Sequence, residues 1–253
     1  MVPTHHILPV APGNWSGAKR DGSVAAGLPA LQLRMRPICR RLALILTCVA
    51  GFYVTIDAQL ASRPTEEWIK LLDSPERVKG LRVDEIIGKL QLKSGEVIAD
   101  IGAGTGVFSV PLARAVGRGK VYAVEVDRGL VDYIRTKAAT QQVGNVLPVL
   151  GQFTDPALPS TDVDLAFFHD ALHHIADRAG YLARLVTYMK PTARLAVVEM
   201  DPVKGAHAND PALQITKAQL EGWMAKLGFT RQEQVDLSED KWFAAYARRG
   251  QAP

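Results

Sequence analysis

The sequence predicts an α/β fold: a doubly wound, mostly parallel seven-stranded sheet with a helical lid at its amino-terminal side. Three observations carry this. From residue 97 onward, short apolar runs alternate with helical stretches, as repeated strand–helix–strand units require. The runs at Val97–Ala99 and Val121–Val124 are apolar throughout, which suits parallel strands covered on both faces. Glycines gather directly after the first run, at Gly102, Gly104 and Gly106, where such sheets receive ligands.

The elements follow in order. Ser74-Pro75-Glu76 starts a helix, with a capping serine and a proline at the first helical position. Asp84 to Leu90 continues as an amphipathic helix. Val107 to Val116 is helical and stops at Gly117; a second long helix runs from about Leu130 to Thr140. Gly144-Asn145 is a turn before the strand Val146–Leu150, and Val163–Phe168 is the fourth strand. A helix covers Arg178 to Met189, then Arg194–Met200 forms the fifth strand. Thr216 and Gln219 form a capping box for a helix that ends at Gly228. Arg231–Leu237 and Lys241–Arg248 complete the sheet.

Ahead of the α/β domain (62–253), the chain reads differently. Residues 1–34 are rich in Gly, Pro and Ala without apolar periodicity, and are expected to be disordered or a leader from a misplaced start. Residues 35–61 carry Arg36, Arg40 and Arg41, then an uncharged apolar stretch, Leu42–Ile56, then small residues up to Ala61. This is a signal-peptide pattern; the stretch falls short of the ~20 residues a spanning helix prefers, so a membrane anchor through 42–56 is the second choice. Export to the periplasm or anchoring is therefore expected, with a cytoplasmic location as the alternative.

The net charge of +4 lies wholly in residues 1–62, which hold six basic and two acidic residues. The remainder is neutral, so it lacks the basic excess with which nucleic-acid enzymes neutralise phosphates. No nucleic-acid partner is expected, and a small-molecule substrate is. Both cysteines, Cys39 and Cys48, also precede the domain. A cysteine nucleophile and a thiolate metal site are thus excluded from it.

Asp100-Ile-Gly102-Ala103-Gly104-Thr-Gly106 lets the backbone turn sharply and come close to a ligand, with a helix amino terminus behind it. A dinucleotide fingerprint from Gly102 and Gly104 would need glycine at position 107, and one from Gly104 and Gly106 would need it at 109. Those positions hold Val107 and Ser109, and no Gly-Lys-Ser/Thr ending marks a phosphate loop. About twenty residues after the loop, the second strand ends in Glu125, a carboxylate able to accept hydrogen bonds from both hydroxyls of a ribose. Asp127 is placed to cap the following helix.

This loop resembles the first motif of the class I S-adenosylmethionine-dependent methyltransferases, and the likeness extends from about Arg63 to the end. Asp162-Val-Asp164-Leu-Ala-Phe-Phe168-His169-Asp170-Ala-Leu-His173-His174-Ile is similar to the fourth motif of the small-molecule branch that contains the ubiquinone and menaquinone methyltransferases. Met189-Lys190-Pro191-Thr192-Ala193-Arg194-Leu195 matches a Leu-Lys-Pro-Gly-Gly-Arg-Leu turn, with Thr-Ala in place of Gly-Gly. The resemblance implies a Rossmann-like fold, S-adenosyl-L-methionine as cofactor and methyl transfer to a small organic acceptor. It implies that Asp100 organises the loop and reaches toward the amino-acid end of the cofactor. Gly102, Ala103, Gly104 and Gly106 would admit the cofactor's backbone, and Glu125 would hold the ribose. Gln152, standing where an acid is more usual, and Phe153 would hold the adenine; Phe168 and His169 would contact the methionyl portion through main-chain atoms.

For catalysis the candidates are His173, His169 and Asp170, with His174, Glu199 and Asp201 near the same rim. Since adjacent residues point in different directions, at most one of His173 and His174 should face the acceptor. The plainer alternative has one of them fixing the loop by a hydrogen bond and the other capping a helix. His173, Asp170 and Asp201 could bind a metal, but no ligand spacing demands one and none is expected. The stretch from His207 to Pro211 is expected to help shape the acceptor pocket, and the helices between Arg63 and Leu90, with Trp68, to cover the cleft. A non-catalytic binding protein is the alternative function, and a nicotinamide-dependent oxidoreductase a weaker one.

Overall fold

A computed structural model describes residues 63–249; the expectations for 1–34 and 35–61 lie outside the described residues. Among the described residues no helix is long and apolar enough to cross a membrane.

Three short helices come first: α1 (Thr65–Leu72), α2 (Pro75–Gly80) and α3 (Val83–Lys89). Then β1 (Val97–Ile101), α4 (Ser109–Val116), β2 (Lys120–Glu125), α5 (Arg128–Thr140) and β3 (Val146–Leu150) alternate. The second half holds β4 (Val163–His169), α6 (Arg178–Val186), β5 (Met189–Met200), α7 (Lys217–Lys226), β6 (Phe229–Asp236) and β7 (Lys241–Arg248). Seven strands form one sheet in the order β3-β2-β1-β4-β5-β7-β6. All pairs from β3 to β5 are parallel, and β7 enters antiparallel between β5 and β6.

Both faces of the sheet are covered, which explains the continuous apolar runs. Ile98 and Phe167 face a core with Leu112, Val116 and Ile134 of α4 and α5; Ala99 and Phe168 face the other, with Leu182 and Leu185 of α6. The chain leaves β1 toward β2 on one side and later crosses to β4 on the other. That reversal opens a crevice beyond the carboxyl ends of β1 and β4, where Ile101 pairs with Phe168.

Local signals are obeyed with a few departures. Both halves of the capping box form at Thr216 and Gln219, and Asp127 Oδ1 accepts from the Leu130 N–H at 2.9 Å. Ser74 occupies the cap position of α2 but makes no side-chain capping bond; the proline at the first position sets that start. The helix expected to reach Met189 stops at Val186, because the Tyr188 carbonyl accepts from the Val163 N–H and the chain has already joined the sheet. The Thr192-Ala193 departure falls in a strand irregularity: pairing jumps from Val163–Met189 to Leu165–Arg194.

Candidate active site

A cavity of about 200 Å³ lies at the crevice. Its floor is the glycine loop. Gly102, Gly104 and Gly106 all have positive φ (72°, 57° and 74°), where a side chain would be strained. A Cβ on Gly102 would also stand 2.5 Å from the Ala171 Cβ, so glycine there lets the loop lie against the turn after β4. The Gly102 and Ala103 N–H groups both donate to the Val124 carbonyl at 2.9 Å, which binds the loop to the end of β2.

Two buried carboxylates brace this floor. Asp100 accepts from the Ser109 hydroxyl at 2.5 Å; burial pushes its carboxyl up to about 7, against that hydrogen bond. Glu125 accepts from the N–H groups of Gly104 (2.8 Å), Val126 (2.7 Å) and Asp127 (3.2 Å). Burial raises its pKa despite those three bonds. An ionised carboxylate offers about four acceptor sites, so capacity remains for a ligand hydroxyl.

The roof comes from the first helices, with Trp68, Leu72, Arg77 and Leu81 lining the cavity. It is fastened by Asp73, whose carboxylate accepts from the Thr105 hydroxyl (2.5 Å), the Tyr133 hydroxyl (2.7 Å) and the Lys137 ammonium (3.0 and 3.1 Å). One residue at the end of α1 thus holds the glycine loop and α5 together. Phe153, one of few exposed large apolar side chains, stands in the cavity wall beside Gln152.

The far end is formed by the turn after β4. His169 stacks on Phe108 with ring centroids 4.6 Å apart, and burial pushes its imidazole down to about 4. It is neutral at ordinary pH and a weak base, which counts against a general-base role. Asp170 adopts φ 50° and is ion-paired with Lys241. Burial would raise its carboxyl, but His169 and Lys241 outweigh that and hold it low. His169 Nε2 and Asp170 Oδ1 are buried without a hydrogen-bond partner among the described residues. His174 lines the cavity, pushed down to about 4 by burial and by the neighbouring His173 and His207.

The structure brings Asp100, Gly102, Ala103, Gly104, Glu125, Gln152, Phe153, His169 and Asp170 to one cavity. Three expected site residues stand elsewhere. Gly106 turns toward Ile134, its N–H donating to the Ala103 carbonyl, and serves the turn rather than the wall. The Phe168 side chain is fully buried against Tyr181 in the core, because its strand position points it to the sheet face, so any ligand contact there falls to its main-chain atoms, the kind of contact the resemblance implied. His173 is buried behind the wall, its Nδ1 2.7 Å from Glu199 Oε2. It is the histidine that fixes the turn; His174, expected to cap a helix in that pairing, makes no such cap and borders the cavity. Asp201 accepts from Val203 and Lys204 N–H groups and shapes its own turn. Arg77 and Lys241 were not singled out by sequence; no motif marks them, and only the fold brings them to this end.

A doubly wound sheet with a glycine loop at its switch point and an acid at the end of the next strand defines a Rossmann-like binding domain. Residues 98–192 match the family described as methyltransferase domain. A ubiquinone/menaquinone biosynthesis C-methyltransferase from Marinomonas sp. (strain MWYL1) is 30% identical over 115 residues, 45% of this chain and 46% of that protein. The chain spans a little under half the length of the curated relatives it matches. Among solved structures, a SAM-dependent methyltransferase from Aquifex aeolicus superposes with a TM-score of 0.65 at 24% identity, covering 73% of this chain and 98% of that one. Magnesium protoporphyrin IX methyltransferase from Synechocystis PCC 6803 with bound SAM gives 0.61 at 18% identity, covering 78% and 96%. These structural likenesses establish the fold.

Proposed function

We propose that this chain is an S-adenosylmethionine-dependent methyltransferase acting on a small organic acceptor. The observation that carries the reading is Glu125: a buried acid at the end of β2 that is bonded to the glycine loop and keeps acceptor capacity toward the same cavity. The residues fit the cofactor. Asp100 and Glu125 suit a ligand bearing cationic groups and ribose hydroxyls, and Phe153 and Trp68 offer flat apolar surface for a base. S-adenosylmethionine brings its methyl group already activated on a sulfonium, so the protein's task is alignment and exclusion of water. The roof of α1 and α2 excludes solvent, while His169 and Asp170 offer polar atoms to orient the acceptor. A small aromatic or quinol-type acceptor fits the similarity to a quinone C-methyltransferase.

The test is direct. Isothermal titration with S-adenosylmethionine should show one site per chain, and transfer of labelled methyl should appear with some member of a panel of quinols, phenols and amines. Binding without transfer to any acceptor would favour the non-catalytic alternative, and absence of binding would end both. Export or anchoring through residues 35–61 is likewise a proposal, resting on the basic and apolar pattern there. Sequencing the mature amino terminus from fractionated cells decides it: an intact residue 1 or 35 in the cytosol rules it out.

A further inference from the structure

Three of the chain's six histidines converge behind the acceptor end of the cavity. His173 and His174 sit on the 3-10 turn Leu172–His174, and His207 approaches from the connection after β5. Their ring centroids are 4.1 Å (His173–His174), 4.9 Å (His173–His207) and 6.1 Å (His174–His207) apart. One ring nitrogen from each lies within 4.8 Å of the others.

The hydrogen bonding singles out which nitrogen is free. Glu199, itself buried, accepts from His173 twice: from its N–H at 3.2 Å and from its ring Nδ1 at 2.7 Å. A carboxylate can only accept, so Nδ1 carries the proton and Nε2 carries the lone pair. That Nε2 is buried and finds no partner among the described residues. Backbone positions are fixed as well: Arg178 donates to the carbonyls of His173 and Ala212, tying the turn to the segment that follows His207. A carboxylate behind an imidazole whose other nitrogen is bare is the arrangement that orients a metal-binding histidine.

We propose that His173, His174 and His207 form a three-imidazole site for a borderline divalent transition metal ion of the zinc class. Glu199 positions His173 for it, and His174 borders the cavity. Three neutral nitrogen ligands without a carboxylate in contact select such an ion over magnesium or calcium. Ligand nitrogens around a tetrahedral zinc stand roughly 3.3 Å apart, given bonds of about 2.0 Å. The present separations, up to 4.8 Å between ligand atoms, ask for ring movement on binding, and His207 is only partly buried. With His174 bordering the cavity, the ion would sit where an acceptor oxygen could complete its coordination and be polarised. The use of the ion on an acceptor rests on the methyltransferase reading; its binding does not.

The experiment uses the full chain, stripped with a chelator and titrated with Co2+ alone, then with Zn2+. One Co2+ per chain should give the visible d–d bands of a four-coordinate ion, and Zn2+ should displace it. Glu199→Gln should weaken binding by about 10-fold to 100-fold, and His174→Ala and His207→Ala by more. His169→Ala, in the same cavity but outside the cluster, should leave the bands unchanged. His207→Ala, at a partly buried residue, is the variant least disturbing to the fold, and circular dichroism with urea unfolding checks that each variant is folded. Bands that survive His207→Ala and His174→Ala belong to another site, such as His5-His6, and overturn the proposal; so does the absence of four-coordinate bands in the folded protein. Co2+ binding without S-adenosylmethionine binding would sink the methyltransferase reading and leave the metal site standing.

Discussion

The two ends of the cavity are built on opposite terms. At the glycine-loop end the polar groups are paired within the protein: Ser109 with Asp100, three backbone N–H groups with Glu125, and Thr105 with Asp73. At the histidine end, His169 Nε2, Asp170 Oδ1 and His173 Nε2 are buried and unpaired among the described residues. A paired end is rigid before any ligand arrives, which suits a cofactor shared by a whole family. An end with bare buried nitrogens and oxygens carries a standing cost that a ligand removes. The difference teaches that specificity belongs to the second end.

The largest expected effect comes from breaking the paired end. Glu125→Ala strands three backbone donors and removes the carboxylate proposed to accept from the ribose, which should cost about 3 kcal/mol of cofactor binding, or roughly 100-fold in Kd by isothermal titration. A Kd within a few-fold of the wild type would show that the ribose is not held there. Asp73→Ala should come next, lowering stability by about 1–2 kcal/mol in urea unfolding while also weakening the cofactor, since it frees the roof from the loop. Stability lost with the Kd unchanged would separate the roof from the cofactor.

A pH effect follows from Asp100. Its carboxyl sits at about 7 in the folded protein, above the unfolded value near 3.9, so the folded state keeps a proton that the unfolded chain has lost. This contribution therefore weakens as pH rises from about 4 to about 7 and is constant above that. Binding runs the other way. A cationic ligand favours the ionised carboxylate, so affinity for S-adenosylmethionine should rise toward pH 7 and level off above it. Asp100→Asn should flatten both profiles, measured by urea titration and calorimetry between pH 5.5 and 8 (a window taken around the shifted value). The smallest expected change is Phe153→Ala, with about 0.5–1.5 kcal/mol of cofactor affinity lost as flat apolar contact disappears; comparing adenosine with S-adenosylmethionine in competition binding checks whether the loss travels with the base.

The paired end was also the legible one. Strand β3 and strand β7 fall on their expected bounds, and Glu125, Asp127, Gly102 and Gly104 lie where local spacing puts them. The histidine end was legible only in part. His173 and His174 are neighbours in sequence, but His207 reaches them through a connection without a motif, and Glu199 meets His173 only because β5 lies beside β4.

Asp73 has a further consequence in time rather than in energy. The carboxylate that fastens the roof to Tyr133 and Lys137 of α5 also accepts from Thr105 in the loop, so lifting the roof at Asp73 loosens the floor as well. Release of a product from this cavity is therefore expected to be coupled to relaxation of the loop. Because one arm of the clasp is the partly exposed Lys137–Asp73 ion pair, added salt should quicken that release, and stopped-flow measurement with S-adenosylhomocysteine at rising ionic strength would time it.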